Sequence, residues 1–176
     1  MKLLIGAGHH PNYPGACYFG LKEHDVVKRV VLSIYNNFKD ELDLEVLPDK
    51  LEVGSYKEFM DWKVDWINKY APDLYVEFHL NADRSGQGRG TETLIYPSSR
   101  AYSFASRLAD LTSFVLGNRN RGVKERGGLY VLKRTKCLAI IYEVYFISNK
   151  QEVSIYNNEC IDNVIGWVFY RVVKNF

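Results

Sequence analysis

The sequence has few cysteines and no long apolar run, and both shortages restrict its class. Cysteine occurs three times in 176 residues, an odd number without any CxxC spacing. We therefore expect free thiols, and neither a disulfide framework nor a cysteine-built zinc site. The opening residues, MKLLIG, hold too short an apolar segment for a signal peptide. The sequence contains no run of about 18 apolar residues, which a membrane span would need. We therefore expect a protein without stable membrane association, which stays in the cytoplasm unless another factor releases it.

A large excess of charge of either sign is also missing. The chain carries 23 Lys and Arg against 21 Asp and Glu, a formal net charge of +2. This balance, without a groove-reading motif, excludes nucleic acid as an expected partner. The charge is nevertheless uneven, since residues 1–100 hold 12 basic and 15 acidic side chains, and residues 101–176 hold 11 and 6. We therefore expect an electropositive surface in the C-terminal part.

Apolar residues make up 47% of the chain and follow two alternating periods. Short apolar runs predict strands at residues 3–5, 74–78, 93–96 and 138–142, with shorter candidates at 44–47 and 129–132. Helical spacing predicts helices through residues 26–38, after a Ser55 capping box, after a cap at Ser98 or Ser99, and through 161–173. Strands alternating with helices predict one α/β domain, a twisted and mostly parallel sheet covered on both faces.

Histidine is scarce, with four in the chain, and its positions carry the functional argument. His9 follows the first predicted strand, His79 follows the second, and Glu143 follows a later one. The carboxyl ends of parallel strands meet at one edge, where ligand crevices form, and Glu23 at the start of the first long helix can reach that edge. Two imidazoles and a carboxylate are a ligand set for catalytic zinc, with a second carboxylate left as a base. Spacing alone leaves open that these are hydrogen-bonded structural residues.

Several blocks occur in the order found in a known family. The sequence resembles the zinc-dependent N-acetylmuramoyl-L-alanine amidases of the type 3 family, and within them phage endolysins. The similarity is carried by residues 3–9 (LLIGAGH), 20–23 (GLKE), 77–82 (EFHLNA), 90–93 (GTET), 120–124 (NRGVK) and 141–149 (IYEVYFISN). The blocks span nearly the whole chain, so the resemblance implies one catalytic domain over residues 1–176, without a separate wall-binding domain.

The resemblance also implies an activity and roles for individual residues. His9, Glu23 and His79 would bind one zinc ion, and Glu143 would be the catalytic carboxylate. The implied reaction is hydrolysis of the amide bond between N-acetylmuramic acid and L-alanine in peptidoglycan, serving phage-driven lysis. Such an enzyme would remain in the host cytoplasm until released to the wall, and we expect a monomer.

Some residues near these blocks depart from the family pattern or compete with its ligands. Many members carry an arginine in the second helix, where this chain has Lys63, which puts any role of that arginine in doubt here. His10 and His24 flank two predicted ligands. We interpret His10 as a residue at the rim of the site and His24 as a solvated helix residue.

A basic segment follows the third predicted helix, and the family-like blocks include part of it. Arg121 and Lys124 belong to the basic segment from 119 to 136 and also lie in one of these blocks. Asn81 lies in another block, two positions after His79. We predict that Asn81, Arg121 and Lys124 contact the substrate. The other basic residues are interpreted as a solvated face that attracts an anionic wall over long range.

Two other functions stay open at this stage. The chain could be a peptidoglycan-binding module without turnover, although a pure binder has no need of a carboxylate at Glu143. It could also be a zinc peptidase that cuts within the stem peptide. The amino terminus released by digestion distinguishes these alternatives, because the amidase frees that of L-alanine.

Overall fold

Six strands form the central sheet of the computed structural model, which describes residues 1–50 and 52–176. The helices and strands occur in the order β1 Leu3–Ala7, β2 Cys17–Tyr18, β3 Leu21–Lys22, α1 Glu23–Phe38, β4 Leu44–Val46, α2 Tyr56–Tyr70, β5 Leu74–Asn81, β6 Thr91–Ile95, α3 Tyr102–Leu116, β7 Asn120–Glu125, α4 Tyr130–Arg134, β8 Leu138–Phe146, α5 Lys150–Tyr156 and α6 Glu159–Lys174.

The sheet is mostly parallel, as the alternation of strands and helices predicted. Its strand order is β4-β1-β5-β8-β6-β7, and β4, β1, β5 and β8 all run in one direction. The pair β6 and β7 runs the opposite way, because β6 is antiparallel to β8 and parallel to β7. Glu143 on β8 consequently has His79 of β5 as its neighbour on one side and Glu92 of β6 on the other.

Helices cover both faces of the sheet, which confirms the predicted α/β class. Helices α1, α3 and α6 pack on one face, where buried residues of α1 and α6 meet those of β1, β5 and β8 in the larger apolar cluster. Helices α2 and α4 cover the other face, with Ile67 and Val131 packed against Leu4, Tyr75 and Ile141 in a second cluster. Strands β1, β5 and β8 are therefore largely buried on both sides, as their continuous apolar runs require.

The predicted caps are partly confirmed. Ser55 Oγ accepts a hydrogen bond from the Glu58 backbone N–H at 3.1 Å, so α2 begins where the capping box placed it. Helix α3 has no side-chain cap, and the prediction of a Ser98 or Ser99 cap is wrong. Ser99 Oγ instead accepts from the N–H of Ala101, inside the turn that precedes the helix.

Several predicted strands differ in extent or type from those of the structure. Residues 129–132 were expected as a strand, but α4 occupies most of them because Val131 and Leu132 fill the space over the sheet from one side. Strands β5 and β8 continue past the apolar runs that predicted them, so His79 and Glu143 lie within strands rather than behind them. A register shift between His79 and Asn81 marks the place where the β5–β8 pairing becomes irregular.

The described part of the chain contains no helix long and apolar enough to cross a membrane. Cys17, Cys137 and Cys160 are free thiols, as the odd number and wide spacing predicted.

Candidate metal centre

Two imidazoles and one carboxylate meet at the carboxyl edge of the parallel strands. His9 Nε2 lies 3.0 Å from Glu23 Oε2, and His79 Nδ1 lies 2.9 Å from Glu23 Oε1. The ligand atoms of all three residues are within 4.8 Å of one another. Three distant segments thus bring together the side chains that were grouped from the sequence.

Close backbone approach makes this arrangement possible. His9 follows β1 with a φ of 64°, a left-handed conformation that costs a non-glycine residue about 1 kcal/mol or more. Gly15 has a φ of 76°, and a Cβ there would lie 2.4 Å from the His9 ring and 2.5 Å from Glu23 Oε2. A Cβ on Gly8 would lie 2.4 Å from the His79 ring. The glycines therefore leave just the room that the three side chains fill.

Glu23 is the central residue of the site and is almost fully hydrogen-bonded. Its Oε2 accepts the backbone N–H of Ala16 and its Oε1 that of Leu80, both at 3.0 Å, in addition to the two imidazole contacts. Burial alone would raise the pKa of this carboxyl, but the hydrogen bonds from His79 and His9 outweigh it and hold the pKa well below its usual range. Glu23 is therefore a fixed negative charge in the site.

His79 lies between two carboxylates. Burial lowers the pKa of its imidazole, yet the hydrogen bonds to Glu23 and Glu77 dominate and raise the pKa to about 10. Without a metal, the ring therefore holds a second proton at neutral pH. Since a metal ligand must be a neutral imidazole, a cation at this site would displace that proton.

Glu143 stands apart from the three, with its carboxyl buried at the base of the same cleft. Its Oε2 has no hydrogen-bond partner among the described residues. Burial raises the pKa of this carboxyl to about 7, against an opposing effect of His79 and with added repulsion from Glu23, Glu92 and Glu77. A carboxyl with a pKa near neutrality can both take and release a proton. Its predicted catalytic role remains a prediction.

A buried ion pair that the sequence analysis missed lies beneath His79. Lys63 Nζ of α2 is 2.7 Å from Glu77 Oε1 of β5, and the same oxygen is 3.3 Å from His79 Nε2. Strand alternation was the available signal, because residues two apart on a strand face the same side. The sequence analysis had named Lys63 only as a departure from the family pattern.

The three residues predicted to contact substrate all converge on one carboxylate. Asn81 Nδ2 donates to Glu92 Oε1 at 2.8 Å, while Arg121 Nε and Lys124 Nζ lie 2.6 Å and 2.9 Å from Glu92 Oε2. The Arg121 guanidinium also lies over the Phe146 ring at 4.9 Å. Glu92 was not singled out from the sequence, since nothing in the pattern showed that β6 would pair antiparallel with β8. Whether the cluster contacts substrate stays a prediction.

The two flanking histidines are structural, and both sequence interpretations of their exposure are wrong. His10 is 2% exposed, and its ring bonds the Lys50 carbonyl through Nε2 and accepts the Asn12 N–H at Nδ1. His24 is 4% exposed and its Nδ1 lies 3.0 Å from the Gly8 carbonyl oxygen. His10 is therefore not a rim residue and His24 is not solvated, because each satisfies backbone groups of the loop that carries His9.

A cleft of about 530 Å³ opens over the site. Its floor holds the four predicted site residues, and its walls are largely apolar or aromatic, formed by Tyr56, Met60, Leu80, Leu94, Leu129, Tyr130, Val131 and Ile141. Such a shape, apolar walls around a few convergent polar groups, is typical of a ligand site.

Comparison with known proteins assigns this site to a family. A sequence profile of the N-acetylmuramoyl-L-alanine amidases (Amidase_3) matches residues 3–175. An uncharacterised 38.4 kDa protein of Clostridium perfringens is 31% identical over 180 residues, which cover 97% of this chain and 50% of that protein. The endolysin of Bacillus phage SPP1 is 29% identical over 170 residues, covering 92% of this chain and 60% of the endolysin.

The fold agrees with the same family. The catalytic domain of CD27L endolysin, described as targeting Clostridia Difficile, has a TM-score of 0.83 at 27% identity and covers 99% of this chain and 97% of that one. This chain spans about half the length of the curated relatives it matches.

Proposed function

This chain belongs to the N-acetylmuramoyl-L-alanine amidase family, and on that premise we propose that it hydrolyses the amide bond between N-acetylmuramic acid and L-alanine in peptidoglycan. The observation that carries the proposal is the meeting of His9, Glu23 and His79 beside the unpartnered Glu143 carboxyl. Family membership supplies the substrate class, and the geometry supplies a place where the reaction can occur.

The three grouped residues fit one zinc ion by the chemistry of their donors. Imidazole nitrogens and a carboxylate oxygen are the usual ligands of catalytic zinc, which keeps a fourth position open. His9 Nε2 and His79 Nδ1 both face Glu23. A cation bound there would displace the second proton of the His79 ring. When bound, zinc would polarise the amide carbonyl and lower the pKa of a water molecule toward 7.

Glu143 performs the proton transfers in the proposed reaction. Its carboxylate takes the proton of the attacking water and afterwards gives it to the departing amine of L-alanine. The raised pKa of the carboxyl, about 7, suits both transfers. A carboxyl already paired with a cation would be a weaker base for the first of them.

Asn81 lines the cleft, and together with Arg121 and Lys124 it forms the proposed substrate-contacting edge. Glu92 holds the three donors in place, and they carry one net positive charge together with it. This edge can donate hydrogen bonds to carbonyl and carboxylate groups of the stem peptide.

The proposal extends to a biological role, which is phage-driven lysis. In this role the enzyme acts on the cell wall after its release from the host cytoplasm. Similarity to the endolysin of phage SPP1 and to the CD27L catalytic domain supports this role. That residues 1–176 act as a catalytic domain belongs to the same proposal.

The test compares wild type with Glu143→Gln, and with Glu159→Gln as a matched control on an exposed carboxylate of α6. Zinc content and L-alanine amino termini released from purified peptidoglycan are measured for each. We expect all three to bind one zinc ion, while Glu143→Gln alone releases no L-alanine. Loss of zinc from Glu143→Gln would make that residue a ligand and contradict the assigned roles. A wild type that binds peptidoglycan without cleavage is a binding module, and release of another amino terminus indicates a stem peptidase.

A further inference from the structure

Lys63 and Glu77 form an ion pair that water barely reaches. Lys63 on α2 is 1% exposed and Glu77 on β5 is 3% exposed, and their charged atoms are 2.7 Å apart. The Lys63 ammonium also lies 3.5 Å from the Ala7 carbonyl oxygen and 4.7 Å from the centre of the Phe59 ring. The pair therefore links the strand that carries His79 to the end of the strand that leads to His9.

The stability of the fold does not explain such a pair. Removing two charges from water costs several kcal/mol each, and apolar residues of similar size in the same place are often neutral or stabilising. Glu77 Oε2 is buried without a hydrogen-bond partner among residues 1–50 and 52–176, which adds to the cost. A buried pair with this cost calls for a second role, and the nearest candidate is the imidazole that it touches.

The two ring nitrogens of His79 face different carboxylates. Nδ1 faces Glu23 at 2.9 Å, on the side of the proposed ligand cluster, while Nε2 faces Glu77 Oε1 at 3.3 Å. If Nδ1 supplies the lone pair to a metal, the single proton of the neutral ring must reside on Nε2. A carboxylate behind that nitrogen accepts the proton, fixes the tautomer and orients the ring.

We infer that Glu77 and Lys63 are positioning residues of the metal centre: Glu77 accepts the Nε2–H of His79 so that Nδ1 points into the ligand cluster, and Lys63 holds the Glu77 carboxylate in place. This inference rests on the proposed function, because it assigns a purpose to the pair only if His79 is a ligand.

The pair can be removed without leaving a charge unpaired. The double variant Lys63→Met/Glu77→Leu takes away both charges and the acceptor, while Lys63→Met/Glu77→Gln takes away the charges and keeps an acceptor oxygen. Lys63→Arg keeps the charge as the conservative variant, and Asp65→Asn, an exposed position of α2, serves as the control. All are purified as the full chain and freed of metal with a chelator.

Three measurements separate positioning from a structural role. Thermal unfolding of the metal-free protein reports stability, competition with a chromophoric chelator gives the zinc dissociation constant, and the visible spectrum of the cobalt-loaded protein reports ligand geometry. We expect Lys63→Met/Glu77→Leu to unfold at or above the wild-type temperature, to bind zinc about 10–100-fold more weakly and to show an altered cobalt spectrum. Lys63→Met/Glu77→Gln should lose less affinity, and Lys63→Arg and Asp65→Asn should resemble wild type.

The results also distinguish this inference from the proposed function. If wild type binds zinc and Lys63→Met/Glu77→Leu binds it with the same affinity and spectrum, the positioning role is wrong and the amidase proposal stands. If the metal-free double variant is destabilised and its folded fraction binds zinc normally, the pair is structural and the inference is overturned. If wild type itself binds no zinc, both the metal centre and the role of the pair fall.

Discussion

Replacing Glu143 by glutamine should make the metal-free protein more stable, and increasingly so as the pH rises. The carboxyl is buried, and its pKa is raised from 4.5 to about 7. The folded state therefore keeps it protonated over a range of pH in which the unfolded chain releases the proton. Below 4.5 the acid is neutral in both states and wild type loses nothing. As pH rises through 7 the fold must accept a buried anion, and the stability that protonation supplied is lost.

The interval between 4.5 and about 7 sets the magnitude of this effect. One pKa unit corresponds to about 1.4 kcal/mol, so the full penalty on wild type is about 3 kcal/mol. Most of it accumulates between pH 5 and pH 8, where linkage predicts a change of about 2 kcal/mol. Glutamine has nearly the same shape as glutamate and does not ionise. The free energy of unfolding of Glu143→Gln therefore does not contain this pH-dependent penalty.

Urea unfolding of metal-free wild type and Glu143→Gln, repeated from pH 5 to pH 8, measures the difference directly. Other titrating groups act on both proteins, so they largely cancel in the difference between the two curves. The exposed Glu159→Gln variant should show no pH-dependent difference from wild type. A Glu143→Gln difference that is constant across this range, or that favours wild type at pH 8, would refute the account of Glu143 as a buried, uncompensated acid.

Three further outcomes follow from the geometry of the site. Gly15→Ala should abolish zinc binding, because the added Cβ would lie 2.4 Å from the His9 ring. Gly20 also has a positive φ, 78°, but no atom of the described residues beyond its chain neighbours lies within 4 Å of a Cβ added there, so Gly20→Ala should keep the metal. Equal zinc affinity in the two variants would contradict this prediction. Addition of zinc at about 1,000 times its dissociation constant should raise the free energy of unfolding by about 4 kcal/mol, and His79→Ala should abolish most of that gain in calorimetry. Glu92→Gln should weaken the ion pairs that position Arg121 and Lys124. In assays of L-alanine release from peptidoglycan it should therefore raise KM more than it lowers kcat, whereas a selective fall in kcat would count against a substrate-contacting edge.

The parallel part of the fold was predictable because its signals are local. Apolar runs marked the strands, and the residues directly after them, His9 and His79, had to lie at one sheet edge whatever the strand order. Glu23 could be added since the first long helix starts from that edge. Chain direction therefore predicted that these three residues meet, while their role as ligands was implied only by the family resemblance.

The missed features depend on pairings that no local pattern encodes. The buried state of Lys63 arises because Glu77, on another element, faces it across the sheet–helix interface. Glu92 meets Arg121 only because β6 reverses direction beside β8. His24 occupies a helix position that a solvated residue could equally fill, and the Gly8 carbonyl that it bonds belongs to a loop whose path the sequence does not show.

Four glutamates surround the proposed site, and the different numbers of positive partners around them support Glu143 as the proposed proton carrier. Glu23 receives two imidazoles and two backbone N–H groups, Glu77 receives an ammonium, and Glu92 receives a guanidinium, an ammonium and an amide. Each of these three has its pKa lowered and stays an anion at neutral pH. Among residues 1–50 and 52–176, Glu143 has no cation paired with it, and its negative neighbours add to burial in raising its pKa to about 7. Carboxyl groups whose environments push their pKa values apart divide fixed charge from proton transfer. The same three anions that prepare the site for a cation therefore also tune Glu143 to exchange a proton near neutral pH.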